Sequence, residues 1–375
     1  MQCLAWVLLL LPAAIFAGYP ALMLAAAATR PKRIRPTPGT PPTVTILIGA
    51  HNEAATIGDK LASVATALAA WPGQAEIIVA DDGSTDDTAA IAEANHARVI
   101  RCPRGGKAAA LNVAIPQARG DILVMTDADP LFDTGTLPAL LAPFADPQVG
   151  AVAGRIDTIG GRGRFAAADR WFRHYESALR AAEDRLFGCI SADGGLYAIR
   201  RTLAPVVPPD VTDDFHISTA AVAAGYRIAF AGEARVWEHS IGGGRQQFRR
   251  RVRITVRGLT ALWRRRALMN PLRTGWYAPA LMLHKVGRRL APLCLLPLWL
   301  VSGWLAAQGS LWWALVAAGL TASAVIALAG AAGMRLTGPF KLVHGAMLHL
   351  AGLAMGTMLF ASGRRYAQWT PQKQA

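Results

Sequence analysis

The sequence has 375 residues, 53% of them hydrophobic, with 39 Lys+Arg against 24 Asp+Glu and a formal net charge of +15. Its mean hydropathy of +0.29 is too apolar for an ordinary soluble enzyme, so membrane spans are sought first. The positive charge gathers in residues 30–35, 245–266 and 285–289, each beside an apolar stretch. That placement suits a membrane surface or a phosphorylated substrate. No recognition module accompanies the basic runs, so nucleic acid is not an expected partner. Cys3, Cys102, Cys189 and Cys294 lie far apart with no C-x-x-C pair, which gives neither a zinc site nor a disulfide framework.

In chain order, residues 4–28 form an uncharged apolar run, long enough for a crossing at roughly 20 residues. It lacks a basic start and exceeds a signal-peptide core, so residues 1–29 read as a signal-anchor span. The basic, Pro-rich linker 30–42 should stay in the cytoplasm by the positive-inside rule, which puts the next domain in the cytosol. From residue 43 the pattern changes to short apolar runs alternating with helical ones. Strands are expected at 43–48, 76–80, 97–102, 121–126 and 149–156. Helices are expected at 54–70, 85–94, 107–117 and 136–144. This alternation predicts an α/β domain, residues 43–244, on a mostly parallel sheet with both faces covered. Residues 165–187 read as one helix, with Phe165, Trp171, Phe172 and Tyr175 as a core or membrane-facing stripe. Residues 245–289 read as basic interfacial helices. Three further spans are expected within 290–362, at about 290–307, 311–333 and 340–362. One span plus three puts the 363–375 tail outside, yet its Arg364, Arg365 and Lys373 oppose that orientation.

Two predicted strands end in acids. Ile77-Ile78-Val79-Ala80 runs into Asp81-Asp82-Gly83-Ser84, and Leu123-Val124-Met125-Thr126 runs into Asp127-Ala128-Asp129. Open α/β sheets bind ligands beyond the carboxyl ends of their strands. Residues i and i+2 of an extended segment share a side, so Asp127 and Asp129 can converge on one hard cation, Mg²⁺ or Mn²⁺, with a diphosphate. Either cluster alone could be a helix cap or turn acid. Two acid-tipped strands in successive units argue for a site. Arg104-Gly105-Gly106-Lys107-Ala108 lacks both the first spaced glycine and the Ser/Thr of a P-loop, and no G-x-G-x-x-G follows the first strand.

The ordered set Ile48-Gly49-Ala50-His51-Asn52-Glu53, Asp81-Asp82-Gly83-Ser84-Thr85-Asp86, Gly105-Gly106-Lys107-Ala108-Ala109-Ala110-Leu111-Asn112 and Asp127-Ala128-Asp129 resembles the family 2 glycosyltransferases over roughly residues 43–270. The flanking spans resemble the membrane-bound members of that family. The resemblance implies a GT-A fold, a nucleoside-diphosphate sugar donor (UDP favoured) and inversion at the anomeric carbon. It implies that Ala50, Glu53, Asp81, Asp82 and Lys107 line the nucleotide site, Asp82 at the base or ribose. Asp127 and Asp129 would hold the metal and diphosphate.

On the acceptor side, Val211-Thr212-Asp213-Asp214 resembles the family's acidic segment, which implies Asp214 as the base with Asp213 supporting it. A helix cap is the plainer reading of the same acids. Gly194-Gly195 and the residues after them resemble a small-residue acceptor floor. Processive synthases carry Q-x-x-R-W, whereas Gln246-Gln247-Phe248-Arg249-Arg250 has Arg where Trp belongs. Gln247, Arg250 and Arg253 can still bind the leaving diphosphate, or else anionic lipid headgroups. His216 and His239 are not assigned to the metal. The expectation is a multi-pass glycosyltransferase of a bacterial inner membrane. It would move a sugar to a lipid-linked or saccharide acceptor in cell-envelope or exopolysaccharide synthesis, with membrane lipids as partners. A processive synthase that extrudes its polymer is the alternative, and a non-catalytic scaffold is disfavoured by the intact acids. A nucleotidyltransferase is disfavoured because residues 49–57 are not a Gly/Arg-rich phosphate loop.

Overall fold

The computed structural model describes residues 1–31, 40–160, 164–239 and 244–366. Most of the linker, including Lys32, Arg33 and Arg35, and Lys373 of the tail lie outside the described residues.

Helix α1 (Gln2–Ala28) comes first. The sheet domain then follows as β1 (Val44–Ala50), α2 (Ile57–Ala69), β2 (Ala75–Asp82), α3 (Thr88–Ala94), β3 (Arg98–Cys102), α4 (Lys107–Ala114), β4 (Ile122–Asp127), β5 (Leu131–Phe132), α5 (Thr136–Leu141) and β6 (Val149–Ile159). Next come α6 (Arg164–Leu186), β7 (Tyr197–Arg200), α7 (Asp213–Ala223), β8 (Arg227–His239) and α8 (Gly244–Arg264). The chain continues as apolar helices α9 (Tyr277–Ala307), α10 (Leu311–Ala331) and α11 (Gly338–Ala361).

The eight strands form one sheet in the order β3-β2-β1-β4-β7-β6-β8-β5. Strands β1 to β4 pair in parallel, β6 pairs β8 in parallel, and β7 runs antiparallel between β4 and β6. The strand alternation is visible residue by residue. Leu47, Ile78, Leu123 and Met125 pack into one core layer. Ile46, Ile48, Val79 and Val124 pack into the other. Both faces are therefore dry, which is why these strands read as continuous apolar runs.

Three strands were not expected: the two-residue β5, and β7 and β8. Residues 189–201 read as a loop, yet Tyr197–Arg200 is β7, and Arg227–His239 forms the long β8. Strand β8 is hidden because its burial is broken: it bulges against β6, so its apolar residues do not alternate.

Four helices are long and apolar enough to cross a membrane. Three match the expected spans. The fourth, α9, begins at Tyr277 instead of residue 290, so the cations of 285–289 lie inside it. They are tolerated there because they face protein. Arg288 pairs with Glu176 on α6, and His284 Nδ1 lies 2.6 Å from Glu183 Oε1. Tyr19 of α1 donates to the same Glu183 oxygen at 2.7 Å, which ties the first helix to α6 and α9 through one wholly buried acid. Helix α8 is not merely interfacial. It packs on α11, where a methyl at Gly356 would come within 2.6 Å of Thr255 and one at Gly352 within 2.9 Å of Arg251. This is the small-residue G-x-x-x-G contact that lets apolar helices approach closely.

Candidate active site

The carboxyl ends of β1, β2 and β4 lie side by side, with Ala50 opposite Asp81 and Gly49 opposite Asp127. The start of α7 and the Gly194-Gly195 turn before β7 close the other side. Helix α7 starts at Asp213 and Asp214, which favour its positive N-terminal end, so the cap reading and the site reading coexist.

Lys107 sits at the centre. Its Nζ lies 2.5 Å from Asp127 Oδ1 and 2.7 Å from Asp213 Oδ2, so one ammonium joins the β4 acid to the α7 acid. Burial alone would strip its proton, but Asp127 and Asp213 outweigh burial and hold Lys107 above its ordinary range. The same contact overrides the burial of Asp213 and keeps that carboxyl below the usual range. Asp214 has no such partner. Burial first, then Asp213 and Asp193, push it up to about 7. Two adjacent acids thus take opposite states, one fixed as an anion and one poised to exchange a proton near neutrality.

Gly194 stands at this junction. A methyl there would lie 3.3 Å from Asp127 Oδ2 and 3.9 Å from Asp214 Cβ. Gly195 is equally constrained, with Glu238 and Ile156 at 2.8 Å from any added methyl. Small residues at 194 and 195 thus leave room beside Asp127, Asp214 and Glu238.

Asp127 and Asp129 both turn away from the core while Ala128 between them is buried, as expected for i and i+2. Desolvation first, then Asp127, holds the Asp129 carboxyl above its ordinary range. Glu53 is raised by its burial, with Asp129 and Asp127 adding. Repulsion among these oxygens is what a hard divalent cation would relieve. Among the described residues, no three His, Cys, Asp or Glu side chains cluster as a metal site. A cation here would rest on Asp127 and Asp129 and take its other oxygens from a diphosphate and water, a set that fits Mg²⁺ or Mn²⁺.

Asp82 departs from the expected direct nucleoside contact. It is 2% exposed. Its Oδ1 accepts from the backbone N–H of Gly105 and Gly106, both at 2.8 Å, and Arg104 pairs with it. Both oxygens are spent on the turn that starts α4, so Asp82 holds Lys107's helix in place. Asp81 accepts from Ser84. The reason lies in Gly83 and Gly106, whose positive φ values of 64° and 91° turn the two loops toward each other.

Arg250 of α8 reaches the electrostatic field of Asp129 and Glu238. Arg253 lies beside Arg250 and Arg257, and Gln247 is exposed.

Four positions around the site escaped the sequence. Lys60 is wholly buried beneath the Asp127-Ala128-Asp129 loop. Its Nζ donates to Thr126 Oγ1 at 2.8 Å and to the Pro130 carbonyl at 2.5 Å, gripping both flanks of the loop, while burial pushes its pKa down to about 7. The signal was present: Ile57, Lys60, Leu61 and Val64 share one helical face, so a lysine occupies an apolar stripe. Arg257 donates to the Val211 carbonyl and Arg264 makes two 2.8 Å contacts to Asp210, so α8 clamps the loop that presents Asp213-Asp214. The spacing of seven from Arg250 to Arg257 to Arg264 marks that face in retrospect. The Tyr197 hydroxyl is buried, has no hydrogen-bond partner among the described residues, and lies in the field of Asp213 and Asp214. No sequence signal distinguishes it from a core tyrosine.

The chain is similar to a mannosyltransferase from Pyrobaculum calidifontis, solved in complex with GDP-Man and Mn²⁺, at 26% identity and a TM-score of 0.72, over 96% of this chain and 99% of that one. It is 34% identical over 157 residues, 38% of this chain and 33% of the relative, to a beta-monoglucosyldiacylglycerol synthase of a Nostoc strain. It is 30% identical over 207 residues, 52% of this chain and 49% of the relative, to the poly-beta-1,6-N-acetyl-D-glucosamine synthase of Staphylococcus aureus. The chain thus spans half or less of the length of these two relatives. Residues 45–201 match the model for glycosyl transferase family 2, and the sheet has the GT-A arrangement of the mannosyltransferase neighbour.

Proposed function

We propose that this chain is an inverting glycosyltransferase of a cell membrane, moving a sugar from a nucleoside-diphosphate sugar to a membrane-associated lipid-linked or glycan acceptor. The observation that carries this reading is the split pair at α7: Asp213 ion-paired to Lys107, and Asp214 left without a counter-ion and raised to about 7. Asp214 accepts the proton of the acceptor hydroxyl. That oxygen forms a bond to the anomeric carbon from the face opposite the diphosphate, and the carbon–oxygen bond to phosphate breaks with its electron pair leaving on the nucleoside diphosphate. Asp127 and Asp129 would hold the divalent cation, which supplies charge neutralisation of the departing diphosphate when bound. Arg250 adds a fixed positive charge on the same side. Ala50, Glu53 and Asp81 line the nucleotide side, and Asp82 serves it by fixing the Lys107 turn.

The four apolar helices and the basic α8 support attachment to a membrane, with the sheet domain in the cytoplasm of a bacterium. The mannosyltransferase neighbour was solved with GDP-Man, so GDP-sugars join UDP-sugars as candidate donors. The test uses the full chain in detergent with labelled nucleotide sugars, Mn²⁺ or Mg²⁺, and a lipid extract. A single labelled lipid band is expected. A long polymer with no lipid product would replace this reading with processive synthesis.

A further inference from the structure

Behind the Gly194 turn lies a second charged region that the sugar-transfer chemistry does not use. A small pocket of about 10 Å³, room for a single water, lies there between α6 and the edge of β6, with Arg173, Arg180, Glu176 and Asp193 among its lining residues. The acids around it are taken. Asp193 pairs with Arg180 at 2.6 Å, Glu176 with Arg288, and Glu238 with Arg173 at 2.8 Å. Three more cations come in from the membrane side: Lys285 and Arg289 of α9, and Arg251 of α8. Among the described residues none of the three has a carboxylate within ion-pair distance. Arg289 donates to the Lys285 carbonyl at 2.7 Å, and its Nε has no hydrogen-bond partner among the described residues.

These cations are packed in, not left over. A methyl at Gly258 would come within 2.6 Å of Arg289 Nη2, so that glycine lets the guanidinium lie against α8. Gly352 of α11 makes room for the base of the Arg251 side chain, with Cγ 2.9 Å from an added methyl. Gathering like charges inside a protein is costly unless an anion completes the group. Arg289 acts on Asp214 through space and Lys285 on Asp193, so the group adjoins the acceptor side of the site. The same helix α9 exposes Met282, Leu283 and Leu290, an apolar track that leads from the cations to the bilayer.

We propose that Lys285, Arg289 and Arg251 seat the phosphate or diphosphate of a lipid-linked acceptor, whose hydrocarbon chain lies along α9 and whose acceptor group reaches Asp214. This rests on the glycosyltransferase reading and narrows its acceptor to an anionic lipid phosphate. Half-buried guanidinium and ammonium groups without a carboxylate in ion-pair distance among the described residues suit phosphate oxygens better than a neutral glycan or a diacylglycerol hydroxyl.

The test uses the full chain in nanodiscs of phosphatidylcholine, with the nucleotide site saturated by UDP or GDP and Mn²⁺. The probes are geranylgeranyl diphosphate, geranylgeraniol and inorganic pyrophosphate. The prenyl diphosphate should bind at least tenfold more tightly than either of the others. Lys285→Gln and Arg251→Gln should each weaken it tenfold or more, Arg289→Lys less than threefold, and all three should leave nucleotide affinity within twofold. Equal binding of the alcohol would overturn the proposal. Pyrophosphate binding as tightly as the lipid would reduce the site to one for free anions and overturn it too. Equal loss of nucleotide affinity, with the Arg289→Lys protein folded and active, would reassign the cations to the donor. Failure of every nucleotide to bind with Mn²⁺ would sink the glycosyltransferase reading instead. The prenyl comparison needs no nucleotide and would still decide this one.

Discussion

Replacing Asp214 with Asn removes an acid that has no ion pair among the described residues while keeping its shape. If Asp214 takes the acceptor proton, kcat should fall by about 10²- to 10⁴-fold, the usual range for a positioned general base. Affinity for the nucleotide sugar should change little, because Asp127 and Asp129 are untouched. The wild-type kcat should rise with pH along a limb centred near 7, the value to which burial and its acidic neighbours lift Asp214. The variant should lose that limb. Stability gives a second readout. Raising Asp214 from 3.8 to about 7 means the folded chain is penalised for ionising it, by about 4 kcal/mol at most. Solvent reaches part of the side chain, so about 2 kcal/mol is the working figure. The penalty is absent below pH 3.8, grows through the interval and is complete above about 7. Asp214→Asn should therefore melt higher than the wild type at pH 8.5 and equal to it near pH 4. Steady-state transfer to a lipid extract and a melting series across pH check both arms. A kcat loss below tenfold with the pH limb intact would refute the base assignment.

Other outcomes follow from neighbouring contacts. Lys107→Met should cost at least 100-fold in transfer and lower stability by about 3 kcal/mol, since Asp127 and Asp213 then face each other with no cation between them; a Lys107→Arg protein with intact activity would argue against the need for a compact ammonium. Gly194→Ala places a methyl 3.3 Å from Asp127 Oδ2 and should raise the acceptor KM about tenfold with little change in melting. Lys60 is wholly buried with its pKa lowered from 10.5 to about 7, so the unfolded chain binds more protons between those values and stability should rise with pH across that window; Lys60→Met should flatten the rise, as read by chemical denaturation of the wild type and variant in parallel. Gly356→Ile should separate α11 from α8 and lower the melting point by several degrees, measured in the same detergent as the wild type.

Much of this architecture was legible in the sequence because it rests on local signals. Strands β1 to β4 are buried on both faces and so are continuous apolar runs, and Asp81, Asp82, Asp127 and Asp129 sit where those runs stop. The same locality marked Asp213-Asp214 and Gly194-Gly195. What the sequence withheld depends on partners distant along the chain. Asp82 looks like a ligand-facing acid, and only the fold brings Gly105 and Gly106 to its oxygens. Strand β8 has no clean period because it bulges. The start of α9 was placed too late because Arg288 and Arg289 counted as surface charges, whereas Glu176 and the Gly258 gap receive them within the fold.

Lys107, shared between Asp127 and Asp213, gives the site a preferred order of events. Were a cation and a diphosphate to engage Asp127, the ammonium would lose one of its two anchors. Asp213 would then stand less compensated, and its negative charge would make Asp214 hold a proton more firmly. On the proposed function, loading of a sugar nucleotide would be reported across the cleft to Asp214. The expected outcome in steady-state kinetics is a sequential pattern with donor binding first, and an apparent pKa for reaction that moves upward once it has bound. A site whose two halves held separate cations would show neither the order nor the shift.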